Sequence, residues 1–198
     1  MSSEIQQTKR LSRSEKFSEG RLLLRKELWP HVEADRLWSR KRSTGFATIP
    51  RTMPLIMVII DSLSVGKPPS TTYLDLWCRA YDESFVRLDK PQEMAFAAGF
   101  TTPRGTHIWS ERLDTLKRLG FIDLAPGAQG KRSFALIYNP YMVVKTLKKG
   151  GKVSSALHNA LLSAANAIGA TDLSAPISEK PKEEPKSEVP LPAVPSTA

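Results

Sequence analysis

The stretch PQEMAFAAGFTTPRGTHIWSERLDTLKRLGFIDLAPGAQGKRSFALIY occupies residues 91–138 and carries most of the information about the architecture. A proline at its start predicts a short helix over residues 91–98, which Gly99 ends. Pro103 then opens a longer helix over residues 103–119, and Gly120 follows it at the position that favours a left-handed helix cap. Two helices joined by a turn therefore form the centre of the predicted domain.

A β-hairpin is predicted directly after these helices. Residues 121–124 (FIDL) and 133–138 (SFALIY) are rich in apolar and β-prone side chains, so each segment predicts a strand. The segment between them, residues 125–131, contains one proline and two glycines and predicts a flexible hairpin loop.

Three more elements are predicted over residues 55–88, directly upstream of this stretch. Residues 55–63 predict a helix that is apolar nearly all round, and such a helix is expected to be buried. Residues 72–81 carry apolar side chains at helical spacing, and residues 85–88 alternate apolar and polar as a short strand does. Cys78, within the second helix, is interpreted as a small buried apolar group.

Both ends of the chain differ from this centre. Further helices are predicted over residues 18–29, 32–38, 140–149 and 153–168, and the last is amphipathic, so it either folds back on the domain or pairs with a second copy. We divide the chain into a disordered N-terminus (1–16), an N-terminal helical extension packing on the core (17–66), the main domain (67–149), an amphipathic C-terminal helix (150–170) and a disordered Pro-rich acidic tail (171–198).

Charge is concentrated in one part of the sequence. The chain has a formal net charge of +9, and residues 101–152 hold ten Lys+Arg against three Asp+Glu, a net charge of +7. This balance favours a polyanionic partner, either nucleic acid or an acidic membrane surface. A single cysteine excludes an internal disulfide, and the longest apolar run is far shorter than the roughly 20 residues of a membrane span. Together with a polar N-terminus, these features predict a cytoplasmic protein.

Over residues 70–138 the predicted order is helix, short strand, short helix, turn, longer helix, strand, glycine-containing loop and strand. This order resembles the winged helix-turn-helix superfamily, and it implies a mainly α fold with a small β-hairpin wing (α+β). The resemblance further implies a non-enzymatic protein that binds duplex DNA. The chain is similar in this respect to regulators, and to replication or partition proteins, of bacterial plasmids and mobile elements.

The resemblance makes residues 103–119 the recognition helix, which enters the major groove. Its apolar side faces the core, and its polar side carries the candidate base readers. Arg104 suits guanine, whereas His107, Ser110 and Glu111 suit either bases or phosphates. A surface histidine and a helical ion pair within this set remain the simpler alternatives for His107 and Glu111.

Phosphate contacts are expected around the same helix. Thr101 and Thr102 precede its free N-terminus, which favours phosphate oxygens, and Lys117 and Arg118 lie near its other end. Lys131 and Arg132 lie in the predicted wing loop, where a basic hairpin tip can reach phosphates or a narrow minor groove.

Other interpretations of the chain involve partners rather than chemistry. The alternative to DNA binding is a winged-helix protein-interaction module, with the C-terminal tail contacting a protein partner. A homodimer on DNA is a further option. We expect no catalytic residue, cofactor, metal ion or membrane partner, because the scattered histidines and Cys78 lack metal-ligand spacing and no enzyme motif is present.

Overall fold

The structure is a computed structural model that describes residues 13–128 and 130–173, with side chains from residue 18 onward in those ranges. The chain divides into two compact units, Met1–Phe46 and Ala47–Ala198. The predicted disordered ends lie mainly outside the described residues. Residues 13–16, predicted to be disordered, belong to a helix instead, and Leu173, in the predicted tail, is buried.

The first unit contains one long helix, α1 (Arg13–Leu28), and a short 3-10 helix (Ala34–Arg36). The helix predicted over residues 32–38 is therefore wrong in type and length. Pro30 follows α1 closely, as expected for a residue that cannot continue a helix. Most of the large apolar side chains that the structure describes in this unit are exposed to solvent, whereas Leu37 is half-buried.

The second unit is mixed α/β, and the order of its elements agrees with the sequence-based prediction. It contains α2 (Met53–Ser62), α3 (Ser70–Arg79), β1 (Phe85–Arg87), α4 (Pro91–Ala97), α5 (Gly105–Leu119), β2 (Ile122–Gly127), β3 (Gly130–Ile137), α6 (Pro140–Lys149) and α7 (Ser155–Ala167). Over the described residues of both units, seven α-helices thus accompany three strands. No helix in this part of the chain combines the length and apolar character that crossing a membrane requires.

The three strands form one antiparallel sheet in the order β1-β3-β2. The hairpin is longer than predicted, because β2 continues to Gly127 and β3 begins at Gly130. Pro126 lies on the edge strand β2, at a register shift between Ala125 and Gly127. Proline has no N–H group to donate, and at this edge position no hydrogen bond of a central strand is lost. The loop predicted over residues 125–131 is therefore wrong in length.

The turn between α4 and α5 is built from two glycines. Gly99 has φ +92°, and the N–H groups of Gly99 and Phe100 donate to the carbonyl groups of Phe96 and Ala95 at 3.0 and 2.9 Å. This pattern is a Schellman cap, which ends α4 sharply. Gly105 then opens α5 so close to Phe100 that an added Cβ would lie 2.1 Å from the Phe100 carbonyl oxygen.

Helices and sheet enclose one apolar core. Its members are shared by every helix of the second unit and by the inner face of the sheet. The largest fully buried side chains are those of Tyr73, Phe121, Met53, Ile56, Ile59, Ile60, Leu76, Met94, Leu113, Leu116, Ile122 and Leu161. Val58 is 51% exposed, so α2 is not buried all round as its composition predicts.

Two further predictions are resolved by this packing. The amphipathic helix α7 folds back within its own unit, where it contacts α2 and α6 and buries Leu161 and Ala165. Cys78 is exposed rather than buried, because α3 turns Tyr73 and Leu76 toward the core and Cys78 away from it.

Candidate nucleic-acid interface

The outer face of α5 is polar, whereas its inner face packs into the core. Trp109, Leu113 and Leu116 are buried at helical spacing and fix the inner side of the helix. The positions that face outward at the same spacing are Arg104, His107, Glu111, Asp114 and Arg118. We call these five residues the α5 outer face.

The predicted site residues are accessible in the structure. Eight of them are exposed, namely Thr101, Thr102, Arg104, His107, Lys117, Arg118, Lys131 and Arg132, and the remaining two, Ser110 and Glu111, are half-buried. Their arrangement differs from the prediction at the start of α5. The helix begins at Gly105 rather than at residue 103, and the Thr102 carbonyl accepts a hydrogen bond from the Gly105 N–H at 2.8 Å.

Arg132 connects the hairpin to the α5 outer face. Its Nε and Nη2 atoms donate to the two carboxylate oxygens of Asp114 at 2.9 and 2.5 Å. This two-point contact raises the pKa of the Arg132 guanidinium. Arg132 and Lys131 lie within β3 and not in a loop, so their predicted location is wrong. The ion pair thus joins one residue of β3 to one residue of α5 at the surface.

Lys117 makes its contacts to β2. Its Nζ lies 2.8 Å from an Asp123 carboxylate oxygen and donates to the Leu124 carbonyl at 3.3 Å. Hydrogen bonding from Lys117 lowers the pKa of Asp123, and the backbone N–H of Leu124 adds to this effect. Lys117 thus binds residues of β2 within the protein, and it lies beside the α5 outer face.

Glu111 is the centre of a cluster that joins two elements. Its carboxylate lies 3.4 Å from Nε2 of His107, 3.5 Å from Nζ of Lys67 and 3.7 Å from Nη1 of Arg112. Lys67 belongs to the connection between α2 and α3, and the sequence analysis did not select it. The helical pair between His107 and Glu111, which the sequence left as an alternative, is present.

Arg112 was also missed by the sequence analysis. Its side chain is only 11% exposed, its guanidinium lies 5.8 Å from the centre of the Phe100 ring, and its buried Nε and Nη1 atoms have no hydrogen-bond partner among the described residues. One signal was available. Position 112 lies three residues after Trp109 and four before Leu116, so it falls on the apolar side of the helix.

Three basic residues of this region remain available for an external anion. Arg104, Arg118 and Lys131 are exposed and form no ion pair with another described residue. Two of them lie at opposite ends of the α5 outer face, and the third lies on β3 next to the paired Arg132. The unpaired positive charges therefore lie at the two ends of the α5 outer face and on β3, and not along the middle of the helix.

A second exposed surface lies on the sheet. Phe85 and Leu136 are register partners that point away from the core and are 45% and 42% exposed. Phe85 also packs edge-on against Phe134, with ring centres 6.4 Å apart. The outer sheet face thus carries an apolar patch, and the charged Arg87 and Asp123, register partners of Phe134 and Leu136, lie on the same face.

Comparisons of the chain with known protein families, with curated proteins and with solved structures give no match.

Proposed function

We propose that this protein is a non-enzymatic, winged helix-turn-helix protein that binds duplex DNA. The observation that carries the proposal is the joint presentation of two elements: the α5 outer face and the β2–β3 hairpin, connected by the two-point pair of Arg132 with Asp114. A helix that enters a groove needs a neighbouring element for the flanking backbone, and the hairpin supplies one.

The dimensions of α5 suggest how it meets DNA. Arg104 and Arg118 stand 14 positions apart, which is about 21 Å along a helix axis. The N-terminal residues of a recognition helix are those that contact base edges in the major groove, so only that end of α5 is expected to lie deep within it. We assign base reading to the N-terminal half, with Arg104 and His107, and backbone contact to Arg118. Lys131 on the hairpin contacts a phosphate of the flanking backbone.

The biological role that we propose is a bacterial transcriptional regulator, or a replication or partition factor of a plasmid or mobile element. The element order of the second unit supports this class, since such factors read duplex DNA with one helix and one wing. The exposed base-reading side chains support sequence selectivity.

The test is binding to labelled duplex DNA across a salt series. Each phosphate neutralised contributes about −0.9 to the slope of log K against log salt, so the two backbone contacts of Arg118 and Lys131 predict a slope near −2. Affinity should then fall about twelvefold between 50 and 200 mM salt. A flat response in this range would refute DNA binding.

Variants separate the assigned roles. Arg118→Ala and Lys131→Ala should weaken binding to all sequences and reduce the salt slope by about one each, whereas Arg104→Ala should change the preferred base at one position. Lys90→Ala is the matched control, because Lys90 is an exposed lysine on the α4 side that pairs with Glu93. Equal effects of all four substitutions would contradict the assignment.

A protein-interaction module is the second candidate, and the outer sheet face favours it. Phe85, Phe134 and Leu136 form an apolar surface that DNA binding by α5 does not use. Replacement of Phe85 and Leu136 by serine should leave DNA affinity unchanged if α5 is the interface. Loss of a protein complex with retained DNA binding would assign the sheet face to a partner.

A further inference from the structure

The contacts of Glu111 are numerous but loose. Its distances to Lys67, His107 and Arg112 are 3.4 to 3.7 Å, whereas strong charge-assisted hydrogen bonds are about 2.7–2.9 Å long. Lys67 and His107 are each 66% exposed, so water screens both pairs. Asp114 differs, because Arg132 holds it through two short bonds. Glu111 is therefore the acidic residue of the α5 outer face that can exchange its partner.

Lys67 brings a positive charge to this face from outside the helix. It lies in the sequence Gly66-Lys67-Pro68-Pro69, and its Nζ reaches across to Glu111 on α5. A carboxylate on a DNA-facing helix repels phosphates, and pairing with Lys67 offsets that repulsion in the free protein. When a phosphate approaches, it competes with Glu111 for the same ammonium group.

We propose that the Lys67–Glu111 pair is a selectivity latch in which DNA phosphate takes Lys67 and the released Glu111 carboxylate must find a hydrogen-bond donor on a base. This inference rests on the proposed function and adds a residue outside α5 to the interface. The donor that suits a carboxylate in the major groove is the exocyclic amino group of cytosine. At sequences without that donor, the carboxylate faces base acceptors and keeps only its contacts within the protein, so binding is penalised.

Arg112 gives the released carboxylate a fixed position. Because its side chain is only 11% exposed and its guanidinium lies over the Phe100 ring, it stays in place when the exposed Lys67 leaves. Its contact with Glu111 at 3.7 Å keeps the carboxylate near the α5 outer face, while His107 one turn earlier lies on the opposite oxygen. Lys67 is thus the exchangeable partner, and Arg112 is the stationary one.

The experiment compares selection from a random duplex pool with equilibrium binding. The unaltered chain should select cytosine at one position, and Glu111→Gln should replace it with adenine, since a glutamine amide matches the donor and acceptor of adenine. Glu111→Ala should remove the preference, with about a tenfold loss of discrimination at that position. Both variants should bind the unselected pool about fivefold more tightly at low salt, because one repulsive charge is gone.

Lys67→Ala tests the role of the lysine in the proposed latch. It should weaken binding to every duplex and reduce the salt slope by about one. The matched controls are Lys90→Ala and Glu93→Gln, which break an exposed pair of 3.2 Å on the α4 side.

Glu111 variants that select the same bases as the unaltered chain, or that behave like Glu93→Gln, would overturn the latch while DNA binding by Arg118 and Lys131 stands. If the unaltered chain shows no salt-dependent DNA binding, both the proposed function and the latch are overturned.

Discussion

Gly105→Ala tests whether the close approach at the start of α5 fixes the angle between α4 and α5. The added methyl group would lie 2.1 Å from the carbonyl oxygen of Phe100 and 2.9 Å from its carbonyl carbon. Ordinary carbon–oxygen contacts are about 3.3–3.6 Å, so the two backbone segments must separate by roughly 1.2 Å. Phe100 cannot yield freely, because its own N–H is bonded to the Ala95 carbonyl.

The magnitude follows from two opposing effects. Overpacking of this kind typically destabilises by about 1–3 kcal/mol, and contact between two backbone segments places Gly105 at the upper end. Alanine is favoured over glycine in a helix by about 1 kcal/mol, which offsets part of the loss. The net expected decrease in the free energy of unfolding is about 2 kcal/mol, or a factor of roughly 30 in the folding equilibrium.

Urea unfolding followed by circular dichroism measures this effect. With an m-value of about 2 kcal/mol/M, the midpoint should fall by about 1 M. Gly150→Ala is the matched control in the same unit, because φ at Gly150 is −79° and an added Cβ there meets nothing closer than 3.6 Å. That variant should stay within about 0.5 kcal/mol of the unaltered chain. Equal midpoints for the two variants would show that the approach at Gly105 is not a constraint.

Two more predictions concern side chains. Tyr141→Phe leaves the buried Thr52 hydroxyl without the 2.6 Å hydrogen bond that joins it to Tyr141, so thermal or urea unfolding should show a loss of about 1–2 kcal/mol, and no change would show that the hydroxyl finds another partner. Lys117→Met should destabilise the chain at pH 6 but less at pH 2.5, because Lys117 lowers the pKa of the Asp123 carboxylate. The pair with Lys117 stabilises the folded chain above the unfolded pKa of Asp, near 3.9, and this stabilisation is lost as pH falls through the lower pKa of the folded state. A pH-independent effect in urea titrations would contradict this.

Local sequence signals predicted the elements of the second unit well, because each is set by neighbours in the chain. Pro91 and Gly120 mark helix ends through backbone rules that need no tertiary contact, and both positions agree with the structure. The length of the hairpin was not predictable in the same way. Pro126 and two glycines indicate a loop, but pairing with β3 extends the strand beyond the proline.

For the candidate site, the sequence predicted which side chains are exposed but not which partners they have. Helical spacing correctly places Arg104 and His107 at the surface of α5. It does not show that Arg132 and Lys117 are paired with Asp114 and Asp123, since these partners come from other elements. Lys67 was missed for the same reason: its role depends on a contact across 44 positions of the chain.

The central position of β3 sets the order in which the sheet can be completed during synthesis. Val86 of β1 pairs with Ala135 of β3, so β1 leaves the ribosome 49 residues before the one strand that pairs with it among the described residues. At about 5–20 residues per second, the first strand waits roughly 2–10 s for a partner. In that interval β1 lacks the backbone hydrogen-bond partner that it has in the folded protein. The sheet can therefore form only after helices α2 to α5 have been made.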